Sequence, residues 1–487
     1  MLDKNVLPAS IATNRFGLGA RPGDIEAAAK DPQGWVLAQL QTPEFSPGLP
    51  DLEAAWKLLV QDRQQRMAAR QNRAVIKAPV TASMAAAPKS AATPASTTTS
   101  ASTPTTTSMP PAIKAAAPAA GEDPLKSLHF ELLQDGLVRS IAAEHSFSWR
   151  LLDFFSNHFS VSANGKVLQV LAPLLERDAI APNLLGSFEE MLLAVSRHPA
   201  MLLYLNNERS FGPDSRLGRN RKLGLNENLG REILELHSLG VEGGYTQADV
   251  RELAMALSGW SVARLNGQEK PGFVFRAGGH QPGARLLLGK RYPEAGEAQA
   301  EHMLRDLARH PATARHVSFK LGQYVVSDSP PVELVDAMTA RWLATGGDLR
   351  EVVTVLVRSQ SAWQQPQQKF KTPREFVVSF CRACKFRHLP PRLLLNSLTG
   401  MGQRPFAAGS PAGFSALASG WDGADALLDR VDWVARLAGR IIGEPVALGV
   451  TALGPQLTPP TRRAVMRAES REQAMVLLFM SPEFLRR

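Results

Sequence analysis

Cysteine is nearly absent: the 487 residues hold two, Cys381 and Cys384, too few for a disulfide-stapled scaffold. Their C-x-x-C spacing admits a redox pair. On the apolar helix that begins at Glu375, however, i,i+3 spacing sets both beside Val377 on one face. No second pair completes a zinc site, so buried structural thiols are expected. Long apolar runs are missing too. Even Leu192 to Leu205 is interrupted by Arg197 and His198, short of the roughly 18 to 20 uncharged residues that span a bilayer, so no transmembrane segment is expected. The opening MLDKNVLPASIATNRFGLGARPGD lacks a hydrophobic h-region. No secretory signal peptide is seen, and the chain reads as cytoplasmic, with export as the alternative. Nor does one sign of charge dominate: 55 basic against 45 acidic residues leave +10 spread over a long chain. Without a nucleic-acid motif beside that charge, no nucleic-acid partner is expected.

What is present describes a folded, helical protein. The apolar share of 44% is ordinary for a globular chain and gives ample material for a core. From about Lys77 to Glu122 the sequence is almost wholly Ala, Thr, Ser and Pro, a composition that cannot offset the entropy of ordering itself. We read residues 77–122 as a disordered insert between the N-terminal helices of the main domain (1–76) and its remainder (123–487). Both flanks carry helical periodicity: Leu52, Trp56, Leu59 and Val60 before it, Leu128, Leu132, Leu133 and Leu137 after it. Downstream, helical patterns follow at about 146–158, 166–177, 187–206, 228–239, 246–258, 297–324, 330–358, 371–387 and 423–441. Thr246 and Asp249 have capping-box spacing at one start. Between about 260 and 292, Gly and Pro punctuate short apolar runs, which predicts a small β-hairpin or loop excursion. The fold class is therefore mainly α: one large multi-helix domain with that excursion and the insert.

The densest polar cluster lies in Leu225–His237. At about 100° per residue, Asn228, Arg231, Glu232 and Glu235 share one stripe, beside Leu229, Ile233 and Leu236. Glu235 and His237 point apart on a regular helix, so they are not expected to chelate one metal, and His237 is expected as a packed, hydrogen-bonded residue. Ahead of this helix run Arg209, Arg216, Arg219, Arg221 and Lys222. With the helix N-terminus, these groups can hold a phosphate, sulfate or carboxylate. His158 closes an amphipathic helix after Trp149, Phe154 and Phe155, where the helix dipole favours its cation.

The stretch NENLGREILELHSLGVEGGYTQADVRELAMALSGWSV closely resembles the signature of the bacterial domain of unknown function 1800 family. Other pieces agree in order: Arg15-Phe16-Gly17-Leu18-Gly19-Ala20, Phe155-Ser156-Asn157-His158-Phe159, Gly346-Gly347-Asp348-Leu349-Arg350, Lys371-Thr372-Pro373-Arg374-Glu375-Phe376 and Ser481-Pro482-Glu483-Phe484. The resemblance implies no established activity. It does imply a possible sulfatase-like partner, because genes of that kind commonly lie beside the family's, and many relatives look exported. The chain also departs from the pattern. Where relatives tend to read His-Asp-x-Gly-x-Lys it has His280-Gln281-Pro282-Gly283-Ala284-Arg285, and where they often carry Phe it has His237. No metal ligands are assigned, and any cofactor is unknown.

Two functions fit these residues. In the first, the helix from Asn226 to Glu235, the basic loop with Arg219, Arg221 and Lys222, His158 and His280 converge on a pocket. Asn226, Asn228 and Arg231 help bind an anionic small molecule or glycan-type substrate, and Glu232 or Glu235 acts as general base. In the second, the chain is a non-enzymatic helical scaffold or assembly partner, its ionic groups fixing helix register. An open pocket lined by these residues favours the first, and Arg231 paired with Glu232 or Glu235 in a closed interior favours the second.

Overall fold

The computed structural model describes residues 6–76 and 123–487, apart from 222–223, 366 and 387–389; the proposed insert at 77–122 lies outside the described residues. Helices dominate, as the periodicity predicts. One helix matches its expected span, Ser146–His158, and the capping box at Thr246 and Asp249 starts Gln247–Leu257. Helix Leu52–Ile76 packs on Pro124–Ala142 and Gly165–Leu175. A set of buried apolar side chains runs from Ala9 to Leu485.

Three long helical expectations are interrupted, each for a local reason. The 187–206 stretch breaks into Phe188–Arg197 and Pro199–Tyr204, and 297–324 into Glu297–Arg309 and Pro311–Val325. Each break is a His-Pro-Ala triplet. The proline lacks an amide hydrogen and forces the residue before it into extended backbone. That residue then caps the next helix: His198 Nδ1 accepts from the Ala200 amide at 3.2 Å, and His310 Nδ1 from Ala312 at 3.1 Å. The 330–358 stretch breaks at Gly346, whose φ of 66° is left-handed. Asp348 then caps Leu349–Arg358 through the Glu351 amide at 3.0 Å.

The excursion at 260–292 is two hairpins. β1 (Trp260–Val262) pairs antiparallel with β2 (Phe273–Phe275), Trp260 opposite Phe275. β3 (Arg285–Leu287) pairs with β4 (Lys290–Tyr292), Arg285 opposite Tyr292. Residues near both ends of the described chain also meet the interior. Ser10 Oγ donates to the Leu453 carbonyl at 2.6 Å, and Asn14 Nδ2 to Ala452 at 3.1 Å. At the other end, Lys371 N donates to Leu485 O and Arg487 N to Lys369 O, both at 2.9 Å. Residues 485–487 thereby form a short strap beside 369–371.

Candidate functional site

The residues singled out in the sequence fall into separate places. Around the short stretch after Leu205, Asn226 Nδ2 donates to the Leu205 and Asn206 carbonyls at 3.0 Å each, and its Oδ1 accepts from the Asn228 amide at 2.9 Å. Asn226 thus shapes the helix entry, and Asn228 is exposed. Arg219 is exposed, whereas the Arg221 side chain and Lys222 lie outside the described residues. His280 is buried nearby, its Nδ1 3.0 Å from the Ser258 carbonyl and its ring against Phe275. Gln281 explains its own departure from the carboxylate of relatives: its Nε2 donates to Asp214 Oδ2 at 2.8 Å, which a second carboxylate could not do.

Further along, Glu232 and Glu235 are half-buried. Burial, then the neighbouring Glu235, raises the Glu232 carboxyl, with Arg231 opposing. Arg231 itself lies 3.5 Å from Glu227 and donates to Gln247 Oε1 at 3.0 Å. Among the described residues its ion pair is with Glu227, so the pairing with Glu232 or Glu235 that would favour a closed register-fixing network does not occur.

The helix ends in a π-turn, Ile233–His237, and this is where His158 is brought in. His158 Nε2 lies 3.1 Å from the His237 carbonyl, with its ring stacked on Phe154. Burial, then Lys320, pushes His158 well below its ordinary value, so it is neutral rather than the dipole-favoured cation expected. His237 is packed but not hydrogen-bonded as expected: both ring nitrogens are buried without a partner among the described residues. Burial and Lys320 lower it to about 3.

None of Glu232, Glu235, His158 or His280 lines the cleft that opens between helices Pro124–Ala142 and Pro391–Gly400. Its cavity volume is about 120 Å³, opening to solvent at the mouth. Its apolar walls are Leu132, Leu133 and Leu137 of helix Pro124–Ala142 and Leu395 and Leu398 of helix Pro391–Gly400, with Phe45, Phe406 and Phe414 from loops. Its polar floor is built from three elements: Asp153, Ser156 and Asn157 on helix Ser146–His158, Glu176 at the start of the π-turn Glu176–Ile180, and Thr372, Arg374 and Glu375 at the start of helix Pro373–Ala383. Tyr324 adds a phenol from the end of helix Pro311–Val325. A π-turn re-aims the side chain at its start, and such turns are frequent at functional sites.

The floor is a network of ions. Arg374 Nε donates to Asp153 Oδ1 at 2.9 Å, and no described residue accepts from its two Nη groups. Deeper, Glu375 Oε1 lies 2.5 Å from Arg150 Nη1 and 2.6 Å from Arg487 Nε. Burial alone would raise the Glu375 carboxyl, but the two guanidiniums and the Thr372 amide bring it down to about 2. Arg150 also ties the floor to the N-terminal segment, donating to the Gly17 carbonyl through Nε at 2.8 Å and Nη2 at 2.6 Å.

Glu176 has the opposite environment. Its Oε2 accepts from Ser156 Oγ at 2.6 Å, while no described residue donates to Oε1. Burial pushes its carboxyl up to about 7; Arg374 and Ser156 pull it down, and Asp153 adds to the rise. Burial likewise pushes the Tyr324 phenol up, so it stays protonated. Two carboxyls of one cleft thus differ in their partners: Asp153 is in an ion pair with Arg374 and Glu176 is held by a hydroxyl alone.

A loop closes one side. Asn157 grips Phe414 twice, its Nδ2 donating to the carbonyl at 2.9 Å and its Oδ1 accepting from the amide at 2.7 Å. Gly413 beside it has φ 81°, and a Cβ there would lie 2.5 Å from the Asn157 carbonyl oxygen. The Arg374 amide donates to Gln403 Oε1 at 2.8 Å, and Asp328 Oδ2 accepts from the Ala418 amide at 2.9 Å.

Sequence reasoning missed Glu176, Asp153, Arg374 and Tyr324 as site residues. A signal existed for part of the floor: two segments that carry the family resemblance, Phe155–Phe159 and Lys371–Phe376, both enter the cleft, and neither had been read for it beyond His158. Among the described residues, no three His, Cys, Asp or Glu side chains are placed to hold a metal ion. No helix among them is long and apolar enough to cross a membrane. A family model described as "Protein of unknown function (DUF1800)" matches residues 11–486. No curated protein and no solved structure matches the chain.

Proposed function

Because the chain belongs to the DUF1800 family, whose description carries no activity, its role has to be sought in the cleft, and we propose that this cleft binds a small molecule with which Glu176 exchanges a proton. One observation carries the reading: a half-buried carboxyl lining an apolar-walled cleft, held by one hydroxyl and brought to about 7. A group poised near neutrality is half protonated at working pH and serves as acid or base with small driving force either way. Asp153, locked to Arg374, supplies fixed negative charge beside it, and the protonated Tyr324 can donate to a developing oxyanion. Glu232 and Glu235, likewise half-buried, do not line this cleft, and in this reading they stand outside the reaction.

Infrared titration of the wild type against Glu176→Gln tests the proposal. One protonated-carboxyl band should vanish as pH rises through about 7 and be missing from the variant. A Glu176 band titrating in the ordinary carboxylate range would remove the acid–base role. Gly136, on the cleft wall in mid-helix, gives a second handle, because a Cβ there would meet only Glu176 Oε1 at 3.6 Å and Phe45 at 4.0 Å. Gly136→Leu favours the helix while filling the cleft, and it should abolish retention of any small molecule that native mass spectrometry finds on the wild type.

A second reading, an assembly partner of a sulfatase-like protein as the family resemblance implies, would use exposed apolar side chains of the C-terminal helical region. Ile442 is 89% exposed and Met466 67%. Replacing both with Ser should leave Glu176 chemistry intact while breaking any such complex in co-purification.

A further inference from the structure

We propose that the ligand of this cleft is an amphiphile, an apolar chain or ring system lying between helices Pro124–Ala142 and Pro391–Gly400 with a single anionic head on Arg374. The inference rests on the proton-exchange reading above and names the class of molecule it serves. Its first support is the division of the cleft. The apolar groups Leu133, Leu137, Leu395, Leu398, Phe45 and Phe406 come from the two helices and their flanking loops, while the polar groups are gathered on one another at the floor. A uniformly polar ligand such as a sugar would leave those walls without water and without hydrogen bonds in exchange, at a cost for each buried hydroxyl.

The second support is the charge of the floor. Three guanidiniums, Arg150, Arg374 and Arg487, stand against two ionised carboxylates, Asp153 and Glu375. With Glu176 protonated these five groups sum to one excess positive charge, to which the neighbouring buried Lys371, lowered to about 7, adds when it is protonated. Arg374 is the member that can reach a ligand: its Nε is spent on Asp153, and its Nη edge has no acceptor among the described residues. Such an edge matches a carboxylate or phosphate oxygen pair. Arg177, which also lines the cleft, is neutralised by Asp178 at 2.7 Å.

The groups facing Glu176 fix the linkage between binding and protons. They are Asp153 and Ser156 from helix Ser146–His158, Arg374 and Glu375 from helix Pro373–Ala383, Tyr324 from helix Pro311–Val325, and Arg177 on its own turn. An anion seated on Arg374 removes the main charge that favours the Glu176 carboxylate. Binding therefore draws a proton onto Glu176, and affinity rises as pH falls through neutrality.

The test uses the full chain and dodecanoate, with dodecanol and dodecylamine as head-group comparators and octanoate and decanoate as shorter bodies, all followed by calorimetry. Dodecanoate should bind at least tenfold tighter than dodecanol and tighter still than the amine. Each methylene removed should weaken binding roughly fourfold. Gly136→Leu should abolish binding, and Arg374→Gln, with its fold checked by circular dichroism, should erase the preference for the acid. Equal binding of the three head groups, or none by any, overturns the amphiphile assignment, while the infrared band of Glu176 stands or falls on its own. Conversely, head-group preference with no proton uptake in the wild type leaves the anionic amphiphile in place and refutes proton exchange at Glu176.

Discussion

Glu375 is the point at which the floor's stability can be measured. It is 4% exposed and lies between two guanidiniums while completing the capping box with Thr372. Glu375→Gln keeps the shape and the capping hydrogen bonds, which Gln also makes at this helix position, and removes only the charge. The folded carboxyl sits at about 2 against an ordinary 4.5, a gap equivalent to about 3 kcal/mol. This agrees with the 3 to 5 kcal/mol typical of breaking a buried pair by deleting one partner. The sign follows from the depressed value: the folded state holds the ionised form, so this stability is fully present above 4.5 and is lost as pH falls toward 2. At pH 3 less than half of it remains. Urea midpoints of wild type and variant at unchanged slope should therefore differ by about 3 kcal/mol at pH 7 and by less than half of that at pH 3. A difference below about 1 kcal/mol at pH 7, or one that does not shrink on acidification, would falsify the view that the two arginines hold this charge.

Three further outcomes are expected. His198→Ala should cost about 1 kcal/mol through loss of a helix cap and His198→Asn much less; because the folded imidazole is lowered to about 3 from 6.5, stability should rise with pH between those values, and a flat profile in the wild type counts against the neutral cap. Cys381 and Cys384 are buried with thiols pushed up by that burial, so neither should react with a disulfide reagent until the chain unfolds. Asn157→Ala should cost roughly 2 kcal/mol for two backbone contacts and open residues 413–416 to limited proteolysis; an unchanged cleavage pattern would show that Asn157 does not hold the loop.

The helical class and the excursion near 260–292 were legible because periodicity and Gly/Pro punctuation are local signals. The breaks at His198-Pro199 and His310-Pro311 were legible in principle, since a proline after a cap-competent residue marks a start, but the apolar pattern runs through both triplets and hid them. The ionic stripe from Asn228 to Glu235 drew attention because its charges are neighbours in sequence. The floor of the cleft did not, because Arg150, Glu375 and Arg487 are distant in the chain and each sits in a helix or strap that looks unremarkable alone. Glu176 is the hardest case: its acidity is set by what surrounds it in space, and nothing in Leu175-Glu176-Arg177 distinguishes it from a solvated helix residue.

The strap at residues 485–487 gives the cleft a place in time. Arg487 donates to the Tyr324 carbonyl through Nη2 at 2.8 Å and to the Val325 carbonyl through Nη1 at 3.1 Å while holding Glu375, and Arg150 holds the same carboxylate from a helix bonded to Gly17. During synthesis the first of these partners emerges hundreds of residues before the last, and contacts of such long range close late. Until the strap docks, Glu375 has one of its two guanidiniums and the floor is short of a cation. Without residues 485–487 in place most helices would still form but the floor would be one guanidinium short, so ligand capture becomes a report that this strap has docked.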